Sequence, residues 1–172
     1  MINKIREIAE DVFNTLGSGY NEEVYEKAME VGLRLAKIHY ENQRILPVFY
    51  KNFAVGMSRP DLIVKDPDGG EKIILELKAT TSETGLKEEV QLQKYLQTLK
   101  MKKGIIINFL QTNSNGPASK IEFREVTDEL CKCDKCGAYI CHGAECEPCV
   151  KEEEKRLKAL EKEKSKTKKV DK

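Results

Sequence analysis

Two short segments of the chain place charge where apolar side chains would be expected. Arg59-Pro60-Asp61-Leu62-Ile63-Val64 and Ile73-Ile74-Leu75-Glu76-Leu77-Lys78 set two carboxylates and an amine into strand-like runs, where a charge is costly unless something binds it. Side chains alternate faces along a strand, so Glu76 and Lys78 point to one side and Leu75 and Leu77 to the other. Between the runs, Lys65-Asp66-Pro67-Asp68-Gly69-Gly70-Glu71 is turn chemistry, and an antiparallel hairpin would bring Asp61 beside Glu76 and Lys78. Two carboxylates, helped by the Leu77 carbonyl, suit Mg²⁺ or Mn²⁺, hard cations that take oxygen ligands and keep several waters. A water held this way loses a proton more easily, and the cation offsets charge growing on a phosphate. Lys78 would orient that water or stabilise the phosphorane-like transition state. The chemistry implied is hydrolysis of a phosphodiester. A solvent-facing hairpin with ordinary surface ion pairs has the same residue pattern, so the remaining segments must discriminate.

A second cluster lies near the C-terminus. All six cysteines fall between 131 and 149. Cys133/Cys136 and Cys146/Cys149 form two CxxC pairs, each able to grip one side of a tetrahedral Zn²⁺, with Gly137 permitting the turn after the first pair. A closed four-ligand site of this kind is structural, and so short a segment cannot build a core unaided. Cys131, Cys141 and His142 are alternative ligands, as substitutes in that site or in a second one. Disulfides are the competing assignment, but no secretory signal accompanies them.

The elements that must position these groups follow from periodicity. Ile5, Ile8, Ala9, Val12, Phe13 and Leu16 recur at helical spacing and stop near Gly17-Ser18-Gly19. A second helix begins at about Asn21, its expected buried stripe being Val24, Tyr25, Ala28, Val31 and Leu35. Strands are expected at 44–50, 53–57, 60–65 and 72–78, in a mostly antiparallel meander. Residues 85–100 return to helical spacing through Leu86, Val90, Leu92, Leu96 and Leu99. Gly104 to Phe109 reads as a buried strand and 119–126 as a last one. The order predicts an α/β domain, one mixed sheet flanked by helices.

The length of 172 residues accommodates a domain of about 130 residues with a real core plus a small appendage. The divisions expected are 1–128 for the α/β domain, 129–150 for the cysteine-rich module and 151–172 for a charged helix with a basic tail. The net charge of +1 provides no global field for nucleic acid. Local basic surface comes from Lys100-Met101-Lys102-Lys103 and from the lysines of 164–169, although the commoner explanation of such an end is a solvated disordered tail. With no membrane-length apolar run and no signal-peptide core, a soluble intracellular protein is expected.

Four motifs in order resemble the GxxExxY proteins, a branch of the PD-(D/E)xK nuclease superfamily related to RecB-type nucleases. Within Leu16-Gly17-Ser18-Gly19-Tyr20-Asn21-Glu22-Glu23-Val24-Tyr25-Glu26, Gly19, Glu22 and Tyr25 hold the naming positions. Asp61 and Glu76-Leu77-Lys78 follow as the nuclease core, Gln91-Leu92-Gln93-Lys94-Tyr95 as a QxxxY motif, and Gly104 to Phe109 as the strand after it. The resemblance spans roughly residues 3–126 and implies a restriction-endonuclease-like fold with DNA as substrate. It implies Asp61, Glu76 and Lys78 as catalytic positions, Glu22 facing the same metal, and Gln91 with Tyr95 on one helix face beside them. Glu22 has an alternative role as a first-turn acid behind an Asn21 cap, and Tyr25 as a core aromatic with its hydroxyl at the rim. Arg59 would contact a phosphate or pair with a core carboxylate. Some RecB-type nucleases carry an iron–sulfur cluster that uses one upstream cysteine. This chain has none, which favours zinc over a cluster made from the downstream set. The alternative from another class is a catalytically silent nucleic-acid-binding or assembly protein whose cysteine module docks a protein partner; a third is a zinc-dependent adapter.

Overall fold

The structure is a computed structural model that describes residues 1–66, 70–111 and 120–128, together with the backbone of 131–132 and 139–140. The chain divides into two units, Met1–Asp128 and Glu129–Lys172. In the second, strands Cys131–Lys132 and Tyr139–Ile140 pair antiparallel.

The first unit opens with helices α1 (Ile2–Leu16) and α2 (Glu22–Leu35), followed by strands β1 (His39–Asn42), β2 (Leu46–Tyr50), β3 (Phe53–Ser58), β4 (Leu62–Lys65) and β5 (Lys72–Lys78). Helix α3 (Leu86–Leu99) then leads to β6 (Lys103–Phe109) and β7 (Ile121–Thr127). Five strands form one mixed sheet in the order β1-β4-β5-β6-β7. β4 and β5 pair antiparallel, Leu62 opposite Leu75, and β5 and β6 run parallel with α3 as the crossover.

Alternation along β5 divides the core in two. Ile73, Leu75 and Leu77 join Ile5, Ala9, Tyr25, Met29 and Leu33 of α1 and α2 on one face, while Ile74 joins Ile63, Ile106, Leu92 and Leu96 on the α3 face. Glu76 and Lys78 continue the Ile74 row, so they emerge toward α3 at the carboxyl end of β5.

The meander expected over 44–65 is not what forms. β2 and β3 make a separate two-stranded sheet, and β4 pairs instead with β1, His39 opposite Lys65 and Asn42 opposite Leu62. His39-Tyr40-Glu41-Asn42 has almost no apolar signal because an edge strand buries little and tolerates polar residues. The β2–β3 hairpin is tied at its base by buried Leu46 and turns at Lys51, which adopts a left-handed φ of 53°. Beyond that base both strands lie exposed.

The expected stripe of α2 is also rotated. Val31 and Leu35 are exposed, whereas Tyr25, Glu26, Met29, Glu30 and Leu33 are buried. Gly32 favours this face, because a Cβ there would stand 2.5 Å from Ile8 Cγ2 of α1 and force Ile8 or the helices to shift.

Gly104 does the same for α3. A Cβ on it would meet Leu92 Cγ and Cδ1 at 2.8 Å and Cδ2 at 2.9 Å, so the fully buried Leu92 would have to shift. Gly104→Ala should therefore lower stability by about 1–3 kcal/mol, read as a lower denaturant midpoint at unchanged m-value. Gly56→Ala, whose Cβ meets nothing within 4 Å, should leave the stability within about 0.5 kcal/mol of wild type.

Candidate active site

Asp61 precedes β4 and reaches across to β5, where its Oδ2 accepts the Leu77 N–H at 2.7 Å. Glu76 is 2% exposed. Its Oε1 accepts from Lys78 Nζ at 3.0 Å and from Gln91 Nε2 at 2.9 Å, but Oε2 is buried with no hydrogen-bond partner among the described residues. Lys78 Nζ also donates to the Leu77 carbonyl at 2.8 Å and pairs with Glu22 at 3.5 Å. Five of the six residues singled out from the sequence, Asp61, Glu76, Lys78, Glu22 and Gln91, thus converge at the carboxyl end of β5. The sixth, Tyr95, stands one helical turn beyond Gln91. Its hydroxyl accepts from Gln91 Nε2 at 3.0 Å and donates to the Arg59 carbonyl at 3.1 Å.

Each position is locally enforced. Gly17 and Gly19 take φ values of 70° and 110°, open to glycine and strained for other residues. The Gly19 N–H donates to Gln111 Oε1 at 2.5 Å. The Tyr25 hydroxyl donates to the Gly17 carbonyl at 2.7 Å and accepts from Gln111 Nε2 at 3.3 Å. The Tyr25 ring is fully buried and stacks on Phe109 with centroids 4.4 Å apart, so Tyr25 is a core aromatic with its hydroxyl satisfied. Asn21 caps α2 by accepting the Val24 N–H at 3.3 Å. Glu22 then sits in the first turn of α2, as its alternative role required, and pairs with Lys78. On the other side, Asn108 donates to Thr80, Ser82 and Glu122, and Glu122 accepts from Thr84 N–H at 2.7 Å. Arg124 links Glu122 to Glu89 of α3. This network pins the segment between Lys78 and α3, and so the register at which Gln91 meets Glu76.

Sequence reasoning missed Glu26 and Gln43. Glu26 is buried one turn after Glu22, and its charge adds to the upward pressure on Asp61. Gln43 holds it, Nε2 to Oε1 at 3.1 Å, while the Gln43 N–H donates to the Asp61 carbonyl at 2.9 Å. The available signal was the run Glu22, Glu26, Glu30, acids at i, i+4 and i+8 within a buried helix. Arg59 forms no ion pair among the described residues, so it does not pair with a core carboxylate there; its backbone carbonyl is the part engaged.

Burial pushes Asp61 up to about 6 and Glu76 up to about 7, the Asp61 charge adding to the rise at Glu76. Burial pulls Lys78 down, but the charge and hydrogen bond of Glu76, with Glu22 and Asp61, outweigh it and leave Lys78 above the ordinary lysine value. Lys78 is therefore a fixed cation with no lone pair to offer. Burial also raises Tyr95, keeping it a neutral phenol. Two carboxylates with a buried, unpartnered oxygen fit a hard divalent cation, which draws few protein ligands and retains waters. No group of three or more His, Cys, Asp or Glu side chains is arranged for a metal among the described residues. Cys133, Cys136, Cys146 and Cys149, with Cys141 and His142, lie outside them, as does the Cys131 side chain. No described helix is long and apolar enough to cross a membrane.

Because folded Glu76 holds its proton to higher pH than the unfolded chain, stability falls as pH rises from about 4.5 to about 7 and stays lower above that. Glu76→Gln cannot ionise. Without divalent metal, it should be more stable than wild type by roughly 1–3 kcal/mol at pH 8 and match it near pH 4.5 in denaturant titrations. A difference that does not change with pH would contradict this.

No curated protein matches the chain. Among solved structures, the crystal structure of SSO0001 is similar at 19% identity with a TM-score of 0.42, over 74% of this chain and 60% of that one; the chain thus spans about three-fifths of the length of that relative. A family model described as the PD-(D/E)XK nuclease superfamily matches residues 1–120, a stretch that contains every charged group of the site. The chain belongs to the PD-(D/E)XK nuclease superfamily.

Proposed function

We propose that the chain is a metal-dependent nuclease of the GxxExxY branch that hydrolyses phosphodiester bonds in DNA. The observation that carries the proposal is the buried Glu76 carboxylate, one oxygen held by Lys78 and Gln91 and the other without a partner, beside Asp61. Leaving a buried acceptor unpaired costs about 1–3 kcal/mol, more for a charged one. That cost is relieved when a cation binds.

Asp61 and Glu76, with the Leu77 carbonyl, would hold Mg²⁺ or Mn²⁺, which when bound supplies Lewis-acid stabilisation of phosphate charge and eases deprotonation of water. The remaining work falls to the chain. Lys78, charged and anchored on Glu76 and Glu22, presents a preorganised positive charge to the phosphate as negative charge develops in the transition state. Gln91 orients the carboxylate through Oε1 and is itself fixed by the Tyr95 hydroxyl. The Leu77 N–H fixes the rotamer of Asp61. Gln91 and Tyr95 are positioning residues in this scheme.

Cleavage of labelled single- and double-stranded DNA with Mg²⁺ or Mn²⁺ tests the proposal. Glu76→Ala and Lys78→Ala should each lower the rate at least about 10²–10³-fold, and Gln91→Ala about 10–100-fold with a rise in the metal concentration needed. No cutting of any substrate by folded wild type would favour a silent binding protein. Cutting that survives both Glu76→Ala and Lys78→Ala would place the active centre elsewhere.

A further inference from the structure

The β2–β3 hairpin leaves large apolar side chains in solvent. Phe49 is 60% exposed, Tyr50 65% and Phe53 72%. One side of the hairpin faces α3 across a cleft of about 800 Å³, lined by Val48 and Phe49 on the hairpin and by Lys87, Gln91, Lys94 and Tyr95 on the helix. Lys87, Gln91 and Lys94 share one helix face, at i, i+4 and i+7. Neither lysine forms an ion pair among the described residues, whereas Lys27, Lys65, Lys78, Lys103 and Lys120 do. Gln91 connects the two sites directly, since the amide that lines the cleft is the one bonded to Glu76.

We propose that this cleft is the track for a single-stranded segment of nucleic acid entering the site, with Phe49 stacking a base and Lys87 and Lys94 contacting phosphates on either side of Gln91. The inference rests on the nuclease reading and adds its substrate class. Exposed aromatic faces beside cations that lack protein partners are the combination that binds single strands, whose bases are free to stack. A duplex turns its bases inward and offers an isolated aromatic face nothing to stack on. The volume is that of a small-ligand pocket, suited to splayed bases and not to a double helix. Charge complementarity also favours a polyanion over a second copy of this chain, because two copies would bring the lysine-lined faces together.

The test is fluorescence anisotropy of a labelled oligothymidine and of a duplex of equal length, measured on the full chain in EDTA so that binding is read without cleavage. A 2-aminopurine probe reports stacking independently. The single strand should bind more tightly than the duplex. Phe49→Ala should weaken it about 5- to 150-fold and abolish the 2-aminopurine quenching. Lys87→Ala and Lys94→Ala should each reduce the log K against log[salt] slope by about 0.7. Phe49 and both lysines lie at the surface of the cleft, so these variants should keep the wild-type circular dichroism. Equal affinity for duplex, or unchanged binding in all three variants, overturns the proposal even where the wild type cuts DNA. So does concentration-dependent dimerisation lost in Phe49→Ala while oligonucleotide binding persists. Variant-sensitive single-strand binding by a chain that cuts nothing would keep the track and reject the nuclease reading.

Discussion

A carboxylate buried in the middle of a sheet is the constraint around which this fold is arranged. Glu76 occupies a position that its neighbours Ile74 and Ile106 mark as core, and Lys78, Gln91 and Asp61 converge on it. Desolvating two acids so close together raises both and would push protons onto them. The protein answers with one ammonium, one amide and one backbone N–H, and leaves one oxygen unmet. In the proposed function that oxygen is where a metal ion would take the place of a proton.

The rest of the domain holds those few groups in register. α1 and α2 pack on one face of the sheet through the close approach at Gly32, and the Gly17–Gly19 loop, locked by Tyr25 and Gln111, brings Glu22 to Lys78. On the other face, Gly104 lets α3 settle onto β6, and the Asn108–Glu122–Arg124 network fixes its start. Gly19, Glu22 and Tyr25 acquire separate physical meanings here. Gly19 accepts a left-handed backbone, Glu22 meets the lysine, and Tyr25 ties the loop to the core.

Much of this arrangement is legible in the residues themselves. Alternation alone puts Glu76 and Lys78 on the opposite face from Leu75 and Leu77, and the Pro-, Asp- and Gly-rich sequence between the two runs predicts the antiparallel pairing of β4 with β5. Helical spacing locates α3 to within a residue and α1 by its end at Leu16. What escaped has common causes. β1 is a polar edge strand with no periodic signal. The strands expected at 44–50 and 53–57 form, but residues 47–57 stand exposed on a hairpin outside the main sheet, which local pattern cannot reveal. In α2 the burial of Glu26 and Glu30 in place of Val31 and Leu35 reflects tertiary partners, Gln43 for Glu26 and Tyr40 for Glu30, with Lys27 of the same helix also bonded to Glu30. Gln43 joins the site through a left-handed backbone at φ 44°, and residue type gives no hint of it.

The central claim is that Asp61 and Glu76 trade protons for a divalent cation. Titration calorimetry of Mn²⁺ into the protein, in buffers of different ionisation enthalpy, measures the protons released on binding. Release should be substantial at pH 6.5, should fade toward zero by pH 8.5, and should disappear with the binding itself in Glu76→Ala. Binding at pH 6.5 without proton release, or binding untouched by loss of Glu76, would contradict the account.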